Sequence, residues 1–344
     1  MVDAKPATLR LQVARRDVVA EDVLAFELRD PAGADLPPFE AGAHIDVHLP
    51  ADAPVSGPRV RCYSLCNAPS ERQRYCVAVQ REPAGRGGSR WLHQQVQVGD
   101  VLSVGPPRNA FALRPAPHTL LLGGGIGLTP LLAMAEALWA ADQSFELHVA
   151  VRSAARLAFA QRLRTAPWAG CVQVHVDGPG PALDLAALLA RQPPQALAFA
   201  CGPTGFMAAV QGAARQLGWA DGRVVVEHFA APAAVPAGRD EPAVAPEGLS
   251  VLWAPSGQRV NVAPQHSVAQ ALIAAGIDIP LSCEQGICGQ CCVQVLAGQP
   301  DHRDMVYGEH EHTLERRFTP CCSRALSAQL VLAPLGWADP APGR

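Results

Sequence analysis

Up to residue 114, apolar and polar positions alternate, or run apolar, over stretches of strand length at 10–15, 23–28, 44–49, 59–65 and 75–80. Turns rich in Pro and Gly, such as PAGADLPP, separate them, and no long helical period intervenes. Short strands punctuated in this way predict a small antiparallel β-barrel. Past the two prolines of RPAPH (114–118) the pattern changes. Strand-like runs at 119–122, 145–151, 172–176, 197–200 and 224–226 alternate with helical patterns at 131–139, 156–163, 183–190 and 206–217. That alternation predicts an α/β doubly wound parallel sheet. The Ala/Pro-rich stretch from Ala230 to Gly248 has neither period and reads as an extended, semi-stiff linker. Beyond it, strands at 249–253 and 258–262, a helix near 268–275 and a cysteine loop predict a small α+β module. The expected domains are therefore 1–114, 115–230 and 249–344, with a linker at 231–248.

Composition narrows the function. Among 344 residues, 31 acidic against 28 basic side chains leave a formal charge of −3, so nucleic acid is not an expected partner. The opening MVDAKPATLRLQV carries charges at Asp3, Lys5 and Arg10 and has no apolar core, and no apolar run is long enough to span a bilayer. The expectation is a soluble, cytoplasmic protein without a membrane partner. Eleven cysteines in such a compartment stay reduced, and six of them fall between Cys283 and Cys322, so ligation is the better reading than disulfides.

Cys283, Cys288 and Cys291 are spaced C-x4-C-x2-C, with a further cysteine about thirty residues on, the plant-type [2Fe–2S] arrangement. Four thiolates must converge on two irons, and Gly286 and Gly289 let the intervening backbone wrap closely and turn N–H groups toward sulfur. A four-cysteine zinc site would show paired C-x2-C halves, which are missing. Cys292 begins the strand CVQVLAG and reads as a small core residue. Cys321 and Cys322 are adjacent, and spacing does not choose between them.

Two further regions have a nucleotide look. In TLLLGGGIGLTPLLAM, a strand runs into Gly123, Gly124, Gly125 and Gly127, and then into a helix near Thr129–Pro130 whose N-terminus suits a phosphate. The spacing is not that of the dehydrogenase G-x-G-x-x-G fingerprint. Cys201, Gly202 and Pro203 follow another apolar strand of the same sheet, at the strand end where such sheets bind ligands. In the barrel, Arg61, Tyr63 and Ser64 end a strand, and Gly87, Gly88 and Ser89 precede a helix at 90–95. Arginine is a strong phosphate ligand, and a glycine loop entering a helix offers N–H groups to the same anion.

Together these motifs resemble the phthalate dioxygenase reductase type, single-chain NADH reductases of Rieske oxygenases, over nearly the whole chain. The resemblance implies an FMN-binding barrel, a nicotinamide domain and a C-terminal β-grasp ferredoxin domain, in that order. It assigns RCYSL and GRGGS to FMN (Arg61, Tyr63, Ser64, Gly87, Gly88, Ser89). It assigns GGGIGLTP (Gly124, Gly125, Gly127, Thr129) to the pyrophosphate and ACGP (Cys201, Gly202, Pro203) to the nicotinamide side. Val226–Phe229 resembles the end of the nicotinamide domain, which puts Phe229 on the flavin face. The family's fourth ligand stands three residues before an arginine, here Arg324, and this selects Cys321. PDHRD and FTPCCSRA are locally similar to vanillate demethylase reductases.

The implied activity converts a two-electron hydride from NADH into single electrons for a terminal oxygenase of Rieske type, with the protein monomeric on its own. NADPH is the less favoured donor, although Arg152 and Ser153 stand where a 2′-phosphate would sit. Ser64, Cys201, Glu227 and Phe229 are the residues expected beside the reacting rings. Alternatives are a reductase of the same build serving a hydroxylase, a P450 or a quaternary-ammonium monooxygenase, a non-catalytic electron-carrier adaptor, or a zinc-stabilised nucleotide binder. His302, His310 and His312 read as solvated, Cys62, Cys66, Cys76 and Cys171 as small buried residues, and Asp301, Arg303, Asp304 and Glu309 as a solvated face open to a partner.

Overall fold

The computed structural model describes residues 8–178, 183–229 and 248–338. The chain divides after Phe229 into two compact units.

The first unit opens with six antiparallel strands: β1 (Leu9–Ala20), β2 (Val23–Arg29), β3 (His44–His48), β4 (Val60–Ser64), β5 (Tyr75–Gln80) and β6 (Val101–Val104). Their order is β4-β3-β6-β1-β2-β5, and a bridge from Leu65 to Val77 joins the two outer strands, closing the sheet into a barrel. Inward-facing Leu11, Val13, Phe26, Leu28, Ile45, Val47, Tyr75 and Val77 fill it, as period-2 alternation requires. β6 is too short to carry a clear sequence signal; it pairs with β1 and β3 and turns Leu102 and Val104 into the barrel core. A single helix, α1 (Gly88–Gln95), lies between β5 and β6.

The remainder of this unit is a five-stranded parallel sheet, β7 (Thr119–Gly124), β8 (Phe145–Val151), β9 (Val172–Val176), β10 (Leu197–Cys201) and β11 (Val224–Glu227), in the order β11-β10-β7-β8-β9. Helices α2 (Leu128–Ala140), α3 (Ala160–Thr165), α4 (Leu185–Ala190) and α5 (Thr204–Gln216) connect its strands. Central β7 is buried along its whole length, which is why it reads as a continuous apolar run. Edge strand β9 leaves Val174 and Val176 exposed.

Barrel and parallel sheet are packed as one body. Phe111, which follows the last barrel strand, meets Phe199 of β10 edge to face at 5.6 Å. Arg162 of α3 donates to the Cys66 carbonyl at 2.6 Å and pairs with Glu136. The helix expected at 156–163 is displaced by this contact. Phe159 adopts φ 56 and donates its N–H to the Val19 carbonyl of the barrel, so α3 starts only at Ala160.

The second unit is built on β12 (Leu249–Trp253), β13 (Gln258–Val262), β14 (Val293–Ala297), β16 (Arg317–Phe318) and β18 (Gln329–Ala333), ordered β13-β12-β18-β14-β16. β12 and β18 are parallel and the other pairs antiparallel. Helix α6 (Val268–Ala274) starts at a capping box in which Ser267 accepts from Gln270 N and Gln270 accepts from Ser267 N, the sequence signature S-x-x-Q made real. It packs Val268, Ala269 and Leu272 onto Val251, Phe318 and Leu330. A two-stranded ribbon of β15 (Pro300–Asp301) and β17 (Arg324–Ala325) and a short helix α7 (Glu309–Thr313) complete this β-grasp arrangement. The linker expected at 231–248 lies outside the described residues except for Gly248, and so do the side chains of Glu309 and His310. Among the described residues no helix is long and apolar enough to cross a membrane.

Candidate functional site

In the barrel, Arg61 and Tyr63 stand on β4 beside the start of α1. Gly87 caps that helix at φ 91, where a Cβ would lie 2.8 Å from the Pro54 carbonyl. At Gly88 a Cβ would come 2.4 Å from Arg61 Nε. The position of Gly87 therefore requires glycine, whereas a side chain at Gly88 would displace the Arg61 guanidinium that lies against the helix N-terminus. Arg61 donates to the carbonyls of Pro58, Val60 and Arg86, and among the described residues it forms no salt bridge. Burial, and then the neighbouring Arg86 cation, push its pKa down. Like charges facing one place beside helix N–H groups fit an anionic phosphate. The Ser89 hydroxyl accepts from Glu82 N at 3.0 Å, which bridges the two ends of the loop and leaves its O–H able to donate. Tyr63 packs its ring on the barrel core, and burial raises its phenol.

Ser64 ends β4 and is buried. Its hydroxyl donates to Glu227 Oε2 at 3.4 Å across the barrel–sheet boundary. Glu227 ends β11 in register with Cys201 of β10, and Cys201 is in turn paired with Gly123 of β7. Three residues far apart in sequence thus meet at the C-terminal edge of the parallel sheet. Burial pushes the Glu227 carboxyl up to about 8 against the opposing pull of the Ser64 hydrogen bond, so it holds a proton at neutral pH. Burial, then Glu227, also raise the Cys201 thiol well above its usual range, and it stays neutral. Phe229 follows two residues later and is 39% exposed.

The glycines at this edge divide into two kinds. A Cβ at Gly127 would sit 2.2 Å from the Cys201 carbonyl, one at Gly124 would sit 2.9 Å from Pro203 Cδ, and one at Gly202 would sit 2.9 Å from Gly124 Cα. These three let the two loops touch each other. Gly125, at φ 56, has open space around it instead. Thr129 is buried and donates its hydroxyl to the Ile126 carbonyl at 3.0 Å, closing the turn before α2.

In the second unit, Cys283, Cys288, Cys291 and Cys321 line one hollow. The thiols of Cys283 and Cys288 are within hydrogen-bond reach of each other, as are those of Cys321 and Cys291. Two sulfur pairs fit two tetrahedral irons, each taking two thiolates. Gln285 N donates to Cys283 Sγ at 3.3 Å. Gly286 and Gly289 turn the loop at φ 73 and φ 67, and Glu284 shares the left-handed region at φ 52. Cys322, which also reaches Cys321, faces away from the hollow toward Thr319 and Ser323. A Cβ at Gly286 would strike its sulfur. Cys292 lies against Tyr307 and the Val293 carbonyl. Of the remaining cysteines, Cys66 is fully buried, while Cys62, Cys76 and Cys171 are only partly so.

Two expectations fail behind this loop. His302 and His312 are not solvated: their rings stack at 3.8 Å and 17°, and His312 Nε2 donates to Asp304. Asp304 is not on a face open to a partner, because its side chain is fully buried. The three groups have donor atoms within 4.8 Å of one another. The near-parallel rings, however, do not aim their in-plane lone pairs at one point, so the trio is a hydrogen-bonded stack and not a metal cage. The spacing H-x-D with a histidine eight residues on was the available sequence signal.

Comparison with known proteins follows the same division. Residues 251–326 match the family model described as 2Fe-2S iron-sulfur cluster binding domain. The chain is 44% identical over 319 residues to the vanillate O-demethylase oxidoreductase of Pseudomonas sp. (strain HR199 / DSM 7063), covering 92% of this chain and 96% of that one. A solved phthalate dioxygenase reductase, described as a modular structure for electron transfer from pyridine nucleotides to [2Fe-2S], matches at 36% identity and TM-score 0.66, over 95% and 98% of the two chains. The chain belongs to the phthalate dioxygenase reductase family. It is an oxidoreductase of the flavin and iron–sulfur type, a reductase component of the kind that serves aromatic demethylase and dioxygenase systems. An intact type IV self-sufficient cytochrome P450 monooxygenase matches at 38% identity and TM-score 0.82 over 94% of this chain, which spans 41% of that larger one.

Proposed function

We propose that this reductase passes electrons from NADH through FMN and a [2Fe–2S] cluster to a Rieske-type oxygenase of aromatic catabolism, and that it works as a monomer. The observation that carries the reading is the meeting of Ser64, Cys201 and Glu227 at the sheet edge, in a chain that also holds four convergent cysteines. The division into a barrel, a parallel-sheet domain and a ferredoxin domain belongs to the same proposal.

When bound, FMN supplies the ability to take a hydride and give up electrons singly, and the cluster carries one electron onward. The chain's part is placement. Arg61, the N–H groups at Gly87 and Gly88, and the Ser89 hydroxyl would hold the flavin phosphate. Tyr63 would cover the ring, and Ser64 would offer it a hydroxyl. Gly124, Gly125, Gly127 and Thr129 shape the turn for the pyrophosphate, and Cys201, Gly202 and Pro203 lie on the nicotinamide side. Glu227 holds a proton beside them, and Phe229 would cover the flavin until nicotinamide replaces it. Cys283, Cys288, Cys291 and Cys321 would ligate the irons.

The test uses two acceptors. Cys283→Ser is expected to abolish the iron–sulfur spectrum and NADH-driven reduction of cytochrome c while leaving ferricyanide reduction in place. Cytochrome c reduction at the native rate without the cluster would refute the route. Initial rates with NADH and NADPH decide the donor, and reduction of a purified Rieske oxygenase against a P450 decides the acceptor.

A further inference from the structure

We propose that Asp304 is a positioning residue for the iron–sulfur loop: its buried carboxylate holds the turn 304–307 against Gly286 and Gly289, and so fixes the backbone that carries the cysteines. The inference rests on the reading of Cys283, Cys288, Cys291 and Cys321 as ligands.

The carboxylate has no exposed surface. One oxygen accepts from Tyr307 N at 3.1 Å and the other from His312 Nε2 at 3.0 Å. His312 is itself braced by the stack on His302. The turn that Asp304 closes touches the cysteine loop at three places. Met305 N donates to the Gly286 carbonyl at 2.9 Å. A Cβ at Gly286 would lie 2.9 Å from Asp304 Cα, and one at Gly289 would lie 2.7 Å from the Tyr307 hydroxyl. Cys288 stands between those two glycines, and both are in the left-handed region, so the geometry on either side of this ligand is set by the turn behind it. The same turn reaches the fourth cysteine's segment: Arg303 N donates to Ser323 Oγ at 3.1 Å, and Ser323 is bonded to Thr319 at 2.9 Å. One buried carboxylate therefore stands between the two stretches of chain that bring the four sulfurs together. Removing it leaves the Tyr307 N–H and the His312 imidazole without their acceptor and frees the turn. Outer groups of this kind orient the ligands of a metal centre without touching it.

The experiment compares full-length, iron-loaded wild type with Asp304→Ala and Asp304→Asn. Three readouts are taken: the EPR spectrum of the dithionite-reduced cluster, its midpoint potential, and the rate of iron loss to a chelator. Ferricyanide reduction by NADH serves as the control on the first unit. For Asp304→Ala, iron loss is expected to quicken about ten-fold, the EPR g-values of the retained cluster to spread or shift, and the control to stay unchanged. Asp304→Asn, which keeps an oxygen for Tyr307 N, is expected to restore the native line shape.

Native EPR and potential in Asp304→Ala would overturn the proposal, even if that protein unfolds more easily. Equal shifts in the Ala and Asn variants would overturn it too, by showing that charge matters and placement does not. If Asp304→Ala is recovered without iron, His312→Ala removes one donor and keeps the Tyr307 bond; a smaller shift of the same kind supports the proposal, and a native spectrum overturns it. A wild-type protein lacking the [2Fe–2S] spectrum would instead sink the ligand reading beneath it.

Discussion

Cys283, Cys288 and Cys291 sit on one short loop, whereas Ser64, Cys201 and Glu227 come from three strands of two different sheets. The first set is brought together by local turns, with two glycines in the left-handed region doing what no other residue does cheaply. The second exists only because a barrel is packed against a parallel sheet. A change in packing far from the chemistry should therefore damage the second set and spare the first. The cysteine loop should respond to its ligands and to the turn behind it.

The largest effect tests that contrast from the cluster side. Cys321→Ser is expected to remove the iron–sulfur EPR signal as fully as Cys283→Ser does, while Cys322→Ser keeps it, because only Cys321 lines the hollow. A lost signal in Cys322→Ser alone would reverse the assignment.

Next comes the proton on Glu227. A carboxyl raised to about 8 in the fold and ordinary in the unfolded chain makes the folded state bind more protons between those values. Stability from this group is thus fullest at low pH, falls as pH rises toward 8, and is flat above, by an amount on the order of a few kcal/mol. Urea unfolding of the first unit at pH 5 and pH 9 should show this slope in wild type and its loss in Glu227→Gln. Parallel slopes would mean that Glu227 carries no such proton.

Gly127→Ala should follow. Its Cβ would press on the Cys201 carbonyl, costing about 3 kcal/mol and raising the KM for NADH, with the cluster's EPR unchanged. Gly125→Ala has space, pays only for its positive φ, and should cost about 1 kcal/mol. Equal costs would erase the distinction between packed and open glycines.

The smallest effect lies in the second unit, where Ser267→Ala breaks the capping box of α6 for about 1 kcal/mol. Chemical denaturation should register it, and the midpoint potential should not move.

Much of the fold was legible because its patterns are local. β5, β8, β9, β12 and β13 have the same bounds in the chain's alternation as in the structure. The displaced start of α3 was not legible, since Phe159 answers to the Val19 carbonyl of a distant strand. β6 was missed because four residues are too few to establish a period in sequence, although Leu102 and Val104 alternate into the core once the neighbours are in place. At the sites, the cysteine spacing and both glycine loops stood out. The local contacts of Ser89, Thr129 and Gly124 did not, because the hydroxyl bonds and the close approach to Pro203 depend on how the loops fold back.

The sequence by itself determined the order of the parts, the strand and helix periods within them, and the cysteines able to share a cluster. These follow from spacing along the chain, where side-chain direction repeats with a fixed period and four thiols need a loop of suitable length. Only the tertiary structure decided which of Cys321 and Cys322 faces the hollow, that half-buried Glu227 meets Ser64 and stands beside Cys201, and that the Asp304 side chain is sealed behind the cluster loop. Orientation, burial and proton affinity depend on what other segments place around a residue, and no window of sequence contains those neighbours.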